Sequence, residues 1–327
     1  MSGKKGSGGG LVKAEAIPAM KTLAKKFAPP TRAQLSLIEA VAGIQERPPG
    51  TTELAFMARQ LVLCTLPHSD PGNVEAWTRR TGSIALTLQR GWDSKAGQSI
   101  GYPYGIIPRL MLFWIVTEAL QTGSRRLVLG HSLAEFMREV GLDPSRGGKR
   151  SDHARIKEQM RRLFRCHITF DGGDDERDRW KDMNVAPEGE FWWSHKEPEQ
   201  GSLWSSWIEL GEKFFEAILE SPVPIDKRAL RALKRSPLAL DLYAWVCFRA
   251  FVIVKKKQEP QFVPWSRLMQ QLGGDYTNVD EFARKAKAAL RKVALAARGV
   301  SIGTVKGGFM LHGTGLAVPQ GSAKLVG

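Results

Sequence analysis

The sequence predicts an α+β fold: two tandem winged-helix (winged helix-turn-helix) domains behind a flexible basic N-terminal arm. Three observations predict it. Near the C-terminus, Val263 to Leu272 reads as a short helix, Gly273-Gly274-Asp275 as a break, Val279 to Ala297 as a long basic helix, and Val300 to His312 as a hairpin turning at Lys306-Gly307-Gly308. A comparable order of apolar helix, capped helix, basic helix and strands occurs earlier in the chain. Ahead of both, Gly, Ser, scattered lysines, Pro29-Pro30 and Pro48-Pro49 leave too little apolar side chain for a core. The chain thus divides into an arm over 1–55, an N-terminal domain over 56–222, a C-terminal domain over 223–318 and a tail over 319–327.

Within the arm, Leu35, Ile38 and Ala42 share a face, which predicts a helix over 31–44; the folded part should begin near Phe56. Arg59 to Leu66 and Ser83 to Leu88 read as strands, with turns over 67–72 and 91–105. Pro108 opens an apolar helix through Gln121. Arg125 to Leu129 reads as a strand, and Ser132 with Glu135 as a capping box for a helix closed by Gly141. The connector Arg146-Gly147-Gly148-Lys149-Arg150 leads into a helix over 152–165 whose apolar stripe is Ile156, Met160 and Leu163. Strands over 167–171, 190–194 and 205–210 follow, then helices over 227–235 and 238–254.

The long C-terminal helix carries two stripes. Phe282, Ala286, Leu290 and Val293 repeat at helical spacing for packing, while Arg284, Lys287 and Arg291 recur on another face, flanked by Lys285 and Lys292. Asn278 with Glu281 is a capping-box-like start, and Gly299 ends the helix. A basic face of this kind is either plain solvated surface or, between a short helix and a hairpin, a surface for reading duplex DNA from the major groove, and the second is the expectation here. Arg284, Lys287 and Arg291 fall on the reading face; Lys285, Lys292 and Lys306 suit phosphates; Tyr276 and Asn278 stand at the N-terminal end. The first unit offers Arg146, Lys149, Arg150, Arg155 and Arg162, with Lys157 and Arg161 beside them and Glu158 interrupting the face.

Composition agrees with a polyanionic partner. The 327 residues carry a formal net charge of +15, with 43% hydrophobic residues and ten tryptophans to fill cores. No segment reads as membrane-spanning, because Asp241 and Arg249 interrupt the apolar run over 238–254. The N-terminus lacks an apolar signal core, and Cys64, Cys166 and Cys247 lack any paired spacing, so they read as buried thiols in a reducing cytoplasm.

Enzymatic readings fare poorly. Neither Gly3-Lys4 nor Gly148-Lys149 is followed by Ser or Thr, so no phosphate-cradling loop is present. The six histidines are isolated, which disfavours a metal-assisted nicking nuclease. Asp171, Asp174, Asp175, Glu176 and Asp178 cluster in a Gly-rich connection without calcium-loop spacing and read as solvated. The expectation is a non-enzyme with neither metal nor cofactor. Phe191-Trp192-Trp193, Trp204 and Trp207 read as core or interface aromatics, with stacking on single-stranded bases as the other reading.

Several segments together resemble a known family. They are Ala58-Arg59-Gln60-Leu61-Val62-Leu63-Cys64-Thr65-Leu66-Pro67-His68, Gly101-Tyr102-Pro103-Tyr104-Gly105-Ile106-Ile107-Pro108-Arg109-Leu110 and Phe113-Trp114-Ile115-Val116-Thr117-Glu118-Ala119-Leu120. Ser132-Leu133-Ala134-Glu135-Phe136-Met137 and the stretch from Pro224-Ile225-Asp226 to Tyr243-Ala244-Trp245 complete the set. Over residues 56 to 312 the chain resembles the RepA-type replication initiators of broad-host-range bacterial plasmids. The resemblance implies binding of direct repeats (iterons) in double-stranded origin DNA, chiefly through the C-terminal domain, with the N-terminal domain serving dimerisation. It also implies a monomer–dimer equilibrium, plasmid copy control, origin opening, and contact with the host initiator and replicative helicase. The alternative is a winged-helix transcriptional repressor on a palindromic operator, which a two-fold dimer would favour.

Overall fold

The computed structural model describes residues 32–145, 152–174, 177–192, 205–273 and 276–321. Contacts divide the chain into two units, Met1–Glu39 and Ala40–Gly327. The expected flexible arm falls largely outside the described residues. Ordered elements begin before Phe56: helix α1 covers Arg32–Glu46 and a 3₁₀ turn covers Thr51–Glu53. Arg47 and the Gly50 amide both bond the Glu53 carboxylate, which pulls its pKa down to about 2.

Strand β1 (Leu54–Ala58) is buried at every position, and helix α2 (Arg59–Leu63) follows it directly. The strand expected over 59–66 is therefore a correction: it lies earlier, and Arg59–Leu63 is helical. An apolar run from Leu54 to Leu66 has no period of its own to separate strand from helix. The choice is made by β11 (Pro222–Asp226), which pairs antiparallel with β1 in the register Leu54↔Asp226 to Ala58↔Pro222. The expected domain boundary at 222/223 falls inside this strand.

A four-stranded antiparallel sheet runs in the order β2 (Ala76–Thr81), β3 (Ile84–Gln89), β7 (His167–Asp174), β8 (Arg177–Asn184). The polar β8 escapes sequence detection because only pairing with β7 and cover from α6 (Glu212–Glu220) place it. Helix α6 escapes too, since Gly211 supplies no side-chain cap. The expected turn over 91–105 is corrected to a small hairpin, β4 (Gly91–Asp93) with β5 (Gln98–Gly101). The Asp93 carboxylate shapes its turn by accepting from the amides of Lys95 and Ala96 at 3.0 and 3.2 Å. The acidic cluster is corrected likewise: Asp171 and Asp174 belong to β7 and Asp178 to β8, whereas Asp175 and Glu176 lie outside the described residues.

Strands β6 (Arg126–Gly130), β10 (Ser206–Glu209) and β9 (Glu188–Glu190) form a three-stranded sheet. The strand expected over 190–194 thus starts and ends earlier; Trp193, Ser194 and Trp204 lie outside the described residues. Trp207 of β10 is half-buried under the Arg126 guanidinium, 3.8 Å from its ring centroid, and Phe191 stacks on Phe164 at 6.1 Å.

Two apolar helices supply the core, α3 (Ile106–Thr122) and α8 (Pro237–Lys255), joined by α4 (Leu133–Glu139), α5 (Asp152–Phe164) and α7 (Lys227–Leu233). Ser132 caps α4 by accepting from the Glu135 amide at 3.1 Å, as the sequence predicts. Helix α8 is the one described helix long and apolar enough to cross a membrane, and most of it is buried within the fold. Its Asp241 is paired with Arg109 of α3, which also donates to the Leu66, Pro67 and Gly105 carbonyls. His68 completes the cluster at 2.8 Å from Asp241 Oδ2. All three cysteines are free and buried, and burial pushes the thiols up to about 11 at Cys64 and about 12 at Cys166 and Cys247.

Candidate nucleic-acid interface

After α8 the chain forms β12 (Gln261–Pro264), α9 (Trp265–Leu272), α10 (Val279–Ala296), β13 (Ser301–Val305) and β14 (Gly308–His312). Strand β12 pairs with β14 and β14 with β13, so the C-terminal hairpin becomes a three-stranded sheet. The sequence predicts the two helices and the hairpin; β12 is added by tertiary pairing. A Cβ at Gly308 would come within 2.2 Å of the Val263 carbonyl oxygen, so glycine permits the β12–β14 approach.

Helix α10 is positioned from its first turn. The Asn278 side-chain oxygen accepts from the amides of Asp280 and Glu281 at 2.7 and 3.4 Å. That oxygen is committed to the cap. Phe282, Ala286, Leu290 and Val293 are buried, together with Ala283, Ala289 and Ala296. Tyr276 is half-buried with its ring edge on Phe282, centroids 5.3 Å apart, so packing holds it. A Cβ at Gly273 would strike that same Phe282 ring at 2.8 Å, which requires glycine at the break.

The opposite face is cationic. Arg284, Lys285, Arg291 and Lys292 are exposed, and Lys306 is exposed at the hairpin tip. Lys287 is half-buried, its ammonium 5.7 Å from the centre of the Trp265 ring of α9. Trp265 in turn lies 5.6 Å from Phe309 of β14, so one aromatic cluster fixes Lys287, α9 and the hairpin together.

Sequence reasoning missed the residue that ties this assembly to the rest of the fold. Arg79 of β2 is 2% exposed, and its Nη1 donates to Thr65 Oγ1 at 2.5 Å and to the Leu272 carbonyl at 3.2 Å. A cation at the C-terminal end of α9 also complements that helix's dipole. The available signal was an arginine in a β-strand, which does not by itself name a partner 193 residues away.

Helix α5 looks different. Arg162 of α5 donates to Asp70 at 3.1 Å and the Tyr102 carbonyl at 3.0 Å, pairs with Glu158, and lies 5.2 Å from the Tyr104 ring centre. Its guanidinium therefore braces the turn before α3 instead of standing open for a phosphate. Arg155 is half-buried, Lys157 is exposed, and Arg161 pairs with Asp93. Arg146, Lys149 and Arg150 lie outside the described residues. Among the described residues, no cluster of His, Cys, Asp or Glu is arranged to hold a metal.

These features define an α+β protein whose C-terminal part presents a cationic helix beside a β-hairpin. A family model described as plasmid-encoded RepA protein matches residues 102–267, half of the chain. The chain belongs to this family, which is the class of plasmid replication initiators that its sequence resembles. The match ends at Arg267, so α10 and the hairpin follow it. Among curated proteins, no relative matches the chain. Two solved structures of domains 2 and 3 of RctB are similar to it. One, of selenomethionine derivatives, gives a TM-score of 0.46 at 13% identity over 75% of this chain and 93% of its own. The other gives 0.44 at 12% identity over 75% and 92%.

Proposed function

We propose that this chain is a non-enzymatic initiator that binds directly repeated duplex sites (iterons) at a plasmid origin, with α9 and α10 as a helix-turn-helix and β13–β14 as its wing. One observation carries the reading: the exposed face of α10 holds Arg284, Lys285, Arg291 and Lys292, while its other face is locked into the core by Phe282, Leu290 and Val293. A rigidly seated helix can offer guanidinium groups to base edges at fixed positions, and the wing lysine Lys306 can meet the adjoining phosphates. The exposed side chain of Asn278 leaves only its NH₂ to donate, since the cap engages its oxygen.

In this reading the N-terminal winged-helix domain, over 56–222, serves dimerisation and backbone contacts, and a monomer–dimer equilibrium selects between copy control and origin opening. Recruitment of the host initiator and helicase belongs to the same proposal, as does a bacterial cytoplasmic site of action. Neither metal nor cofactor is needed for such work. Footprinting of the purified protein on DNA flanking its gene tests the reading. Protection of evenly phased direct repeats supports it; protection of a single palindrome replaces it with a repressor; no protection at moderate salt removes it.

A further inference from the structure

A groove of about 750 Å³ lies beside α8, away from the cations just described in sequence and built from different elements. Ser221 to Pro224 form one wall, Leu316 to Val318 another, and Phe248, Phe251 and Val252 of α8 supply apolar side chains between them. Phe251 is 36% exposed, a large side chain to leave in water. Arg59, Arg249, Lys255 and Lys256 also line the groove, and no carboxylate is among the described lining residues.

Three physical features narrow the occupant. The first is charge. Arg249 is half-buried, burial lowers its pKa, and its buried Nε has no hydrogen-bond partner, although its Nη2 reaches Gln261. Lys255 and Lys256 stand exposed beside this partly desolvated guanidinium, and a cationic lining without a carboxylate favours an anion. The second is the apolar lining, which a phosphodiester backbone would leave uncovered. The third is the edge of β11. Prolines within sheets sit where a missing N–H faces away from the ladder. Pro222 and Pro224 alternate along β11, whose partner among the described residues is β1, so its outer edge lacks donors at both of these positions for an added strand. An occupant must seat side chains in the groove without extending the sheet, and a helix does that.

The chain's own ends do not suit it. Residues 1–31 hold six lysines against the single acid Glu15, and the last six residues hold Lys324 and no acid. We propose that this groove docks an acidic amphipathic helix of a partner protein, with its apolar side chains between β11 and α8 and its carboxylates on Arg249, Lys255 and Lys256. The surface is separate from the duplex-reading face and does not depend on that assignment.

The test uses the full-length protein and a labelled helical peptide of about five turns, with Leu and Phe along one face and Glu elsewhere. The control peptide carries Lys at every Glu position. Fluorescence anisotropy should show binding of the Glu peptide and about tenfold weaker binding of the Lys peptide. Phe251→Ser should weaken the Glu peptide about tenfold, as should Lys255→Glu with Lys256→Glu, which probes the same groove from its charged rim. Circular dichroism melting of each variant reports that the fold is kept. Equal binding of the two peptides overturns the proposal, as does wild-type affinity in both folded variants. Phosphatidylglycerol vesicles or random duplex DNA that bind the wild type and lose binding in folded Phe251→Ser would also overturn it, making the groove a lipid or nucleic-acid surface.

Discussion

Arg109 and Asp241 form a bidentate ion pair between α3 and α8: Nε to Oδ1 and Nη2 to Oδ2, 2.8 Å each. The two residues are 3% and 7% exposed and lie 132 positions apart. The pair therefore closes a long loop inside the core. The guanidinium's other bonds to the Leu66, Pro67 and Gly105 carbonyls satisfy it without water.

Breaking this pair from either side should be costly. Arg109→Leu leaves a buried carboxylate, and Asp241→Leu leaves a buried guanidinium; each should cost about 3–5 kcal/mol in urea unfolding. The double replacement should cost less than the sum of the two, because it removes both charges together. Additive losses in the double-mutant cycle would show that the two residues do not act as a pair.

His68 should make the fold acid-sensitive above the carboxylate range. Burial, with the nearby Arg109 charge, holds its pKa below the ordinary histidine value, although the Asp241 bond opposes this. The unfolded chain thus takes up a proton at His68 before the folded chain does. The stability is fully present above the unfolded pKa, near about 6.5, and is lost as pH falls from there towards the folded value. His68→Gln should keep a donor near Asp241 and flatten the change in Tm between about pH 7.5 and 5.5. An unchanged slope in that variant would exclude His68 as the source.

On a preferred duplex site, Arg284→Ala and Arg291→Ala should each cost about 1–3 kcal/mol and relax discrimination at one position, whereas Lys306→Ala should weaken all sequences alike. If about six phosphates are neutralised, log Kd should change with log salt with a slope of magnitude about 5. Electrophoretic mobility shifts across a salt series measure all three. Unchanged site affinity in both arginine variants would place the reading surface elsewhere.

Arg162→Ala separates bracing from binding. Losing its bonds to Asp70, Tyr102 and Glu158 should lower the melting temperature. The salt slope for duplex DNA should stay within error of the wild type, because this guanidinium is already engaged. A slope lowered by about one unit would make Arg162 a phosphate ligand after all.

Asn278→Ala removes the α10 cap and should cost about 1 kcal/mol of stability, with Asn278→Asp restoring most of it. Thermal melts of the three proteins check this. A cap role predicts recovery of stability with aspartate, whereas a base contact through the NH₂ predicts that aspartate loses DNA affinity even when stability returns.

By itself the sequence determined the elements with strong local signals. The α10 stripe from Phe282 to Val293, the caps at Ser132 and Asn278, and the hairpin around Lys306-Gly307-Gly308 all follow from local spacing and turn chemistry. Helical periodicity also separates the exposed Arg284, Lys285, Arg291 and Lys292 from the packed face, but it put Lys287 with them, whereas packing against Trp265 half-buries it. Tertiary structure decided what has no local signature. The apolar run from Leu54 to Leu66 became strand and then helix because β11 arrived to pair with its first half, and the polar β8 exists because β7 and α6 hold it. It also decided which arginines are spent on the fold: Arg79, Arg109 and Arg162 find their partners only when distant segments meet. A charge written in a sequence has no direction, and only packing fixes whether it meets a carboxylate, a carbonyl or solvent.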